Sequence, residues 1–401
     1  MPAQPAAVAA AAARCCLDFI VGREKMFFWP MLIFGAMLFV AYANGANDNF
    51  KGVATLFGSG VTDYRKALWW ATATTAAGSL AASLLATRLI SVFQGEGLIP
   101  PYLDGSLPFL SAVILGAAVT VFLATKIGMP ISTTHSLTGA LVGGGIAAAG
   151  FNLNLVSLLH SFFLPLLVSP LIAVVLSLLA YPLLRTALRF AGVDKQTCVC
   201  IGSEILPAAV TPEGYVLSRS SSGLRVMIDR EPQCVQRFTS TIWGVNVQRL
   251  TDVAHFFSAG AVSFARGLND TPKIVAIGLT ASALNLTWVV VFVALIMSVG
   301  GVLSARQVAE TVSKRITAME PDQGFLANLV TSFLVIFASK WGMPVSTTHI
   351  SCGALFGIGA VNGHARWRVI RNILLAWVLT LPFAGVSAGL IYMLLSRWPA
   401  I

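Results

Sequence analysis

Apolar runs long enough to cross a lipid bilayer recur along most of this chain. A membrane-spanning helix needs about 20 such residues, and runs near that length cover residues 27–43, 67–93, 107–124, 153–184, 274–299, 302–318, 325–338 and 370–395. Only 10% of the residues are charged, whereas a soluble domain carries about 25%. Because a helix satisfies its own backbone in lipid and an open sheet does not, the sequence predicts an all-α integral membrane protein with about 10–12 transmembrane helices.

A polar motif occurs twice inside this apolar background. GMPISTTH spans Gly128 to His135, and GMPVSTTH spans Gly342 to His349. Upstream of each copy lies an Asn-Asp pair with a lysine three residues after the Asp, in the same order in both halves. Matched polar motifs with helix-breaking Gly and Pro indicate a secondary transporter made of two inverted repeats, with its site between them. The two Ser-Thr-Thr regions are too polar for simple spans, so we expect a re-entrant hairpin in each repeat.

Hydrophilic segments divide the chain into parts. Residues 1–25 form an N-terminal extension that lacks the basic start of a signal peptide. The first transmembrane repeat covers residues 26–184, a hydrophilic cytoplasmic linker covers residues 185–250, and the second transmembrane repeat covers residues 251–401. Within the linker, residues 213–230 have the pattern of a small β-hairpin.

The formal net charge of +10 does not indicate nucleic-acid binding in this chain. The basic residues lie at span ends and in loops, where such residues set topology and meet the anionic lipid of the bilayer. The six cysteines suggest no disulfide framework, and a metal site of Cys198, Cys200 and Cys234 lacks a convincing fourth ligand. We therefore expect free thiols, no cofactor, and a multi-pass protein of the cell membrane.

The Asn-Asp pairs are the first candidate binding residues. Asp48 and Asp270 lie within or close to apolar segments, where a carboxylate costs several kcal/mol unless it faces a polar cavity or a counter-ion. On a helix, each Asp would share a face with Lys51 or Lys273, so a structural ion pair is the alternative interpretation. A glycine two positions before each Asn favours a broken helix, and the Asn-Asp oxygens suit a cation such as sodium. The predicted sodium ligands are Asn47, Asp48, Asn269 and Asp270.

The Ser-Thr-Thr triplets are the second candidates. Each follows a Pro by one residue, which is typical of a helix start capped by a hydroxyl. A helix N-terminus inside a membrane attracts anions through its free N–H groups and its dipole. Hydrogen bonding between membrane helices is the structural alternative. The predicted ligands of a small tetrahedral oxyanion are Ser132, Thr133, Thr134, Ser346, Thr347 and Thr348, with Asp48 and Asp270 beside them.

A histidine directly follows each triplet, at positions 135 and 349. An imidazole at this place could relay a proton or brace the hairpin with a fixed hydrogen bond, and the brace is the favoured interpretation.

At these motifs the chain resembles the inorganic phosphate transporter family of the PiT type, from about Met26 onward. The resemblance implies an inverted-repeat fold, two re-entrant hairpins, a homodimer, and phosphate moved with sodium or with protons. It assigns the Asn-Asp pairs to the cation and phosphate centre and the triplets to the phosphate-binding hairpin tips. The second motif departs from the first at Pro272, which makes the two halves unequal. Some relatives carry sulfate, but the retained carboxylates favour phosphate.

These interpretations together predict a secondary active transporter that moves inorganic phosphate with sodium by alternating access. The sodium ions would be co-transported ligands rather than cofactors. The alternatives are a proton-coupled phosphate or sulfate transporter and a membrane-embedded phosphatase. An enzyme of the last kind usually needs a guanidinium clamp on the phosphoryl group, and the hairpin motifs contain no Arg.

Overall fold

The computed structural model of this protein describes residues 28–94, 97–103, 105–190, 197–210, 216–220, 225–230, 238–279 and 285–397. The predicted N-terminal extension and Cys234 lie outside these residues, as do the side chains of Cys198 and Cys200. Within the described part, no group of three His, Cys, Asp or Glu side chains is placed to hold a metal ion.

The described chain is mainly helical. The helices of its first half are α1 (residues 28–48), α2 (Ala54–Gly58), α3 (Tyr64–Leu85), α4 (Arg88–Phe93), α5 (Leu107–Lys126), α6 (Thr133–Ala149), α7 (Leu155–Ser157) and α8 (Leu164–Phe190). Those of its second half are α9 (Val247–Leu279), α10 (Leu286–Ser304), α11 (Arg306–Glu310), α12 (Pro321–Lys340), α13 (Thr347–Asn362) and α14 (Trp367–Arg397). A 3-10 turn, Asn49–Val53, joins α1 to α2, and π-helical turns cover Leu158–Phe163 and Thr311–Arg315.

Six helical stretches among the described residues are long and apolar enough to cross a bilayer. They are Phe28–Gly58, Leu107–Lys126, Leu155–Phe190, Leu286–Ser304, Pro321–Lys340 and Trp367–Arg397. This finding confirms the all-α class and the multi-pass membrane protein. The stretches are fewer than the predicted crossings because α3 is rich in Ala, Thr and Ser and α9 contains charged residues, although both are long.

Three predicted spans are wrong in their bounds. The run 67–93 is divided after Leu85, where α3 ends and α4 follows. The run 274–299 belongs to two helices, since α9 ends at Leu279 and α10 begins at Leu286. The run 302–318 contains the end of α10, the short α11 and a π-helical turn. Its apolar residues Val308, Val312 and Ile316 are buried in a protein core rather than exposed to lipid.

The linker contains four β-strands: β1 (Thr197–Val210), β2 (Val216–Ser220), β3 (Arg225–Arg230) and β4 (Phe238–Asn246). The first part of β1 pairs antiparallel with β3 and β4, and its last part pairs antiparallel with β2. The predicted hairpin over residues 213–230 is therefore wrong in its pairing. Strands β2 and β3 lie in that range, but both pair with the longer β1, which lies between them.

Each half of the chain contributes a helix that packs against the other half. We call α5 with α6 the first hairpin, and α12 with α13 the second hairpin. Helix α14, from the second half, packs against the first hairpin, and α8, from the first half, packs against the second. Gly143 in α6 lies against the backbone of Gly385, and Gly357 in α13 lies against the carbonyl of Val174. The glycines after each triplet therefore serve close helix packing.

Gly45 and Gly267, the glycines before each Asn-Asp pair, do not break their helices. A Cβ on Gly45 would lie 1.9 Å from the carbonyl oxygen of Met297 in α10, and one on Gly267 would lie 2.2 Å from that of Thr75 in α3. Both positions are helical. The prediction of a break at these glycines is wrong. A glycine in a sequence can mark a helix break or a close helix crossing, and here the missing side chain lets a neighbouring helix approach.

Candidate functional site

The two triplets lie at the N-termini of buried helices. Ser132 caps α6 by accepting a hydrogen bond from the backbone N–H of His135 at 3.1 Å, and Ser346 caps α13 by accepting one from His349 at 3.2 Å. The turns before them contain Gly128 and Gly342 with φ of 69° and 73°, a left-handed conformation that favours glycine. The first-turn N–H groups of a helix have no acceptor within the helix, so both tips present donors.

The two hairpin tips meet. The Thr134 hydroxyl donates to the backbone carbonyl of Val345 at 3.2 Å, and the Thr348 hydroxyl donates to that of Ile131 at 3.1 Å. Each hairpin therefore bonds to the turn of the other. The predicted meeting of the triplets in one place agrees with this geometry, and their role in binding stays a prediction.

Asp48 lies at the end of α1, where the helix gives way to the 3-10 turn. Its carboxylate accepts hydrogen bonds from the Thr133 hydroxyl at 3.1 Å and from Lys51, with which it forms the ion pair of the alternative interpretation. The Lys51 ammonium also donates to the Thr348 hydroxyl at 2.8 Å. The first Asp-Lys pair thus contacts both hairpins.

Asp270 occupies the matching place in α9. Lys273 lies 3.4 Å from its carboxylate and donates to the Thr134 hydroxyl at 2.7 Å. Asn269 donates to the Thr347 hydroxyl at 3.1 Å. Unlike Asp48, Asp270 lies inside a helix that continues through Pro272. The predicted break of the helix is therefore absent at Asp270. Pro272 removes one backbone donor, but the helix continues on both sides of it.

The amide of Asn47 fixes the first hairpin to α1. Its nitrogen donates to the Thr125 hydroxyl at 2.9 Å, and its oxygen accepts from the Ile131 backbone N–H at 3.2 Å and from Lys51 at 2.7 Å. In the other half, the Ser339 hydroxyl donates to the Asn269 oxygen at 3.1 Å. The predicted Asn, Asp and Thr residues therefore belong to one connected group of hydrogen bonds at the hairpin tips, whereas Ser132 and Ser346 cap their own helices.

Arg266 is a member of the site that the sequence analysis missed as a binding residue. It is fully buried; its guanidinium donates to the Asn44 amide oxygen at 2.8 Å and lies 3.7 Å from the Asp270 carboxylate. The Asn44 nitrogen donates to Asp48 at 2.9 Å and to Asp270 at 3.2 Å. The only signal in the sequence is that Asn44 and Arg266 occupy the same place in the two motifs.

We call Asp48, Lys51, Arg266, Asp270 and Lys273 the charged centre. All five side chains are at most 5% exposed. Three cations against two carboxylates give it a net positive formal charge. At low dielectric an unbalanced charge is costly, so the centre favours a bound anion. Each carboxylate is paired with a lysine, as in the alternative interpretation of the Asn-Asp motifs.

The motif histidines stack behind the tips. The rings of His135 and His349 have centroids 4.1 Å apart, and Trp377 of α14 stacks on His349 at 3.7 Å. The Trp377 indole donates to the carbonyl of Pro130 at 3.3 Å. This packing ties α14 to the first hairpin, and it favours a bracing role for the histidines.

Comparison with known proteins agrees with this architecture. A model described as "Phosphate transporter family" matches residues 44–388. A candidate phosphate permease of Pyrococcus furiosus is 27% identical, over 90% of this chain and 96% of its own length. The chloroplastic inorganic phosphate transporter 2-1 of Arabidopsis thaliana is 26% identical, over 92% of this chain and 72% of its own length.

A solved structure titled "The sodium-dependent phosphate transporter" has the same fold. Its TM-score is 0.72 at 18% sequence identity, over 92% of this chain and 100% of its own. The fold, the paired motifs and the family match over most of the chain agree with one another, and they place it among membrane transporters rather than enzymes. This chain therefore belongs to the phosphate transporter family.

Proposed function

We propose that this protein carries inorganic phosphate across the cell membrane together with sodium, by alternating access to a site at the charged centre. The observation that carries the proposal is the arrangement of two helix N-termini against a buried group of three cations and two carboxylates. Such a place suits a multivalent oxyanion. The first-turn N–H groups and hydroxyls of the two triplets would bind phosphate, beside Asp48 and Asp270.

The lysines themselves indicate where sodium would bind. The Lys51 ammonium is surrounded by the Asn47 amide oxygen at 2.7 Å, the Ile131 carbonyl at 2.8 Å, the Thr348 hydroxyl at 2.8 Å and the Asp48 carboxylate. Amide, carbonyl, hydroxyl and carboxylate oxygens are the ligands of a hard cation. An ammonium group therefore occupies an oxygen shell of the kind that sodium takes.

Lys273 has a matching shell in the other half. Its ammonium contacts the Val345 carbonyl at 2.7 Å, the Thr134 hydroxyl at 2.7 Å and the Asp270 carboxylate at 3.4 Å. The Asn269 nitrogen donates to that carboxylate at 3.1 Å. In these two shells, Asp48 and Asp270 would be the anionic ligands of two cations. Asn47 and Asn269 would lie beside them.

Exchange of sodium for ammonium would couple the two substrates. A sodium ion entering a shell balances the carboxylate and releases the lysine, whose charge then pairs with phosphate. Two sodium ions and one phosphate dianion add no net charge, so the loaded centre keeps the formal charge of the empty one. Phosphate should therefore bind tightly only when sodium is present.

The inverted repeats, re-entrant hairpins and domain divisions predicted from the sequence are part of this proposal. They are supported by the exchange of contacts in which each lysine bonds to the hairpin of the opposite half. The homodimer implied by the family resemblance is also a proposal, and mass measurement of the protein in lipid nanodiscs would test it.

Uptake into liposomes tests the function. Purified protein should accumulate labelled phosphate against its gradient when a sodium gradient is imposed, and replacement of sodium by potassium should stop it. A proton gradient imposed alone, at equal potassium on both sides, should give little uptake. Accumulation driven equally well by protons alone would favour the proton-coupled alternative. Hydrolysis of a lipid phosphate without accumulation would favour the enzyme.

A further inference from the structure

A row of polar side chains leads away from the charged centre along α9. His255, Ser258 and Ser263 lie on the helix before Arg266, and all three are buried. Ser263 lies against Gly52, the residue after Lys51, since a Cβ on that glycine would be 2.2 Å from the serine hydroxyl. Ser263 therefore lies beside the turn that follows Asp48 and contains Lys51.

Two residues from other helices complete the row at its far end. The Thr55 hydroxyl of α2 donates to the Asn328 amide oxygen of α12 at 3.1 Å, and the Asn328 nitrogen donates to the Ser258 hydroxyl at 3.2 Å. The His255 imidazole lies on Gly324, where a Cβ would be 2.5 Å from its ring atoms. We call Thr55, His255, Ser258, Ser263 and Asn328 the polar row.

The polar row contains atoms whose hydrogen-bonding capacity is not used. Within the described chain, neither ring nitrogen of His255 has a hydrogen-bond partner, and the same is true of the Ser263 hydroxyl and the Arg266 Nε. All three residues are at most 1% exposed. Buried polar atoms are nearly always paired with protein or with water, so these atoms indicate a place that accepts water or a small ion.

The other half of the protein provides an internal comparison. When the two Asn-Asp motifs are superimposed in sequence, Thr55, His255, Ser258 and Ser263 align with apolar residues. Asn328 aligns with an apolar residue when the two GMP motifs are superimposed instead. These apolar counterparts belong to one buried cluster: Ile277, Ile33, Ala36, Ala41 and Ile114. A membrane-embedded histidine is costly unless it has a function. The repeat shows that the fold does not need polar side chains at these places.

The polar row lies on the linker side of the charged centre. Helix α9 begins at Val247, directly after strand β4, and His255 follows two turns later, about 12 Å along the axis at 1.5 Å per residue. Asp270 is about 22 Å beyond His255 along the same helix. A proton from the linker-side solution would thus meet His255 well before the carboxylates.

We propose that His255, with Thr55, Ser258 and Asn328, forms a proton-binding site at the linker-side end of the polar row, and that the other half has no counterpart. A ring nitrogen of neutral imidazole accepts a proton from water through its lone pair, and the resulting N–H is solvated by the hydroxyl, amide and water oxygens of the row. The role in transport rests on the proposed function, because it places the proton on the path to the phosphate site.

Other ionisable groups lie on the helices that surround this site. None of the described carboxylates forms an ion pair with His255, and α2 carries no ionisable side chain. The charged residues on α9 and α12 are Arg249, Asp252, Arg266, Asp270, Lys273, Asp322 and Lys340. Glu320 caps α12. Asp252 accepts a hydrogen bond from Gln248 at 2.9 Å. Replacement of the histidine, described next, therefore separates the contribution of the imidazole from that of these groups.

Thiol labelling tests whether the row is hydrated, independently of transport. In a background without the six native cysteines, Ser258→Cys is compared with Ala36→Cys, its counterpart in the apolar half. A small positively charged methanethiosulfonate reagent should modify Ser258→Cys about tenfold faster, because burial in apolar surroundings suppresses the thiolate. Equal rates would overturn the hydrated row. Absence of sodium-driven uptake by the wild-type protein would instead contradict the proposed function and leave this result unaffected.

Replacement of the histidine tests proton binding. Sodium-driven uptake is measured with phosphate only on the side opposite the linker, while the pH on the linker side is varied from about 4 to 8, a range that includes the ordinary pKa of histidine and values below it. The wild-type rate should change with that pH, and both His255→Gln and His255→Ile should remove the change. His160→Gln should keep it, because this histidine is exposed in the π-helical turn Leu158–Phe163, outside the polar row. A wild-type pH profile in folded His255→Gln would overturn the proposal, as would a wild-type rate that ignores linker-side pH.

Discussion

Removal of the Lys51 ammonium should move the affinities for sodium and phosphate in opposite directions. In Lys51→Met the oxygen shell of Asn47, Asp48, Ile131 and Thr348 loses its occupant, so sodium no longer competes with a tethered cation. Phosphate loses the charged donor that exchange would have released to it. A charge-assisted hydrogen bond contributes about 1.5–3 kcal/mol, so phosphate should bind roughly 10- to 100-fold more weakly while sodium binds more tightly.

The same change should make the stability of the protein depend on sodium. Lys51 and Asp48 are 3% and 5% exposed, and loss of one partner from a buried pair costs about 3–5 kcal/mol. Sodium at a hundred times its dissociation constant would restore about 2.7 kcal/mol. Thermal unfolding in detergent should therefore show a low melting temperature in potassium chloride and a clear rise in sodium chloride. Calorimetric titration of each ion gives the two affinities.

A matched control is available in the same chain. Lys66 and Asp63 also form an i,i+3 ion pair, at 3.5 Å, but their side chains are 77% and 56% exposed. Lys66→Met should leave unfolding and both affinities unchanged, since exposed pairs contribute little. Two results would refute the exchange of sodium for ammonium. One is a loss of affinity for both sodium and phosphate in Lys51→Met, and the other is a melting temperature of that variant that does not depend on sodium.

Three further changes examine the carboxylates, the tips and the helix crossings. Asp48→Asn and Asp270→Asn should each abolish sodium-driven uptake in liposomes while the protein remains monodisperse by gel filtration, and wild-type uptake would exclude that carboxylate from coupling. Thr133→Val keeps the volume of the side chain but removes its hydroxyl, so equilibrium binding of phosphate should weaken by about 1–3 kcal/mol; unchanged binding would move the site elsewhere. Gly45→Ala should lower yield and melting temperature because its Cβ meets backbone, whereas Gly35→Ala, with no atom within 4 Å, should not.

The polar elements of the site could be predicted because they repeat. In a chain with few polar residues, a hydroxyl triplet and an Asn-Asp pair that occur twice in the same order have few explanations other than a shared site. Helical spacing placed each lysine on the same face as its Asp, and the ion pair was the alternative interpretation of that spacing. Local chemistry and duplication were sufficient for these residues.

The remaining parts depend on contacts between distant segments. An apolar run such as residues 302–318 has the same composition whether lipid or protein surrounds it, so only the structure distinguishes the two. Gly45 could equally break a helix or admit Met297, which is more than 200 residues away. Arg266 was missed as a binding residue for the same reason, because its carboxylate, amide and hydroxyl partners converge from three helices and a turn.

The exchange of helices between the halves determines when this protein can finish folding. The face of α6 that contains Gly139 and Gly143 is packed against Leu381 and Gly385 of α14, which are made more than 200 residues later. During synthesis the first hairpin is therefore inserted into the bilayer before α14 exists. The site cannot be assembled from the first half alone. Contacts of such long sequence separation slow folding and expose intermediates. Loss of the last helix would therefore damage the hairpin made first.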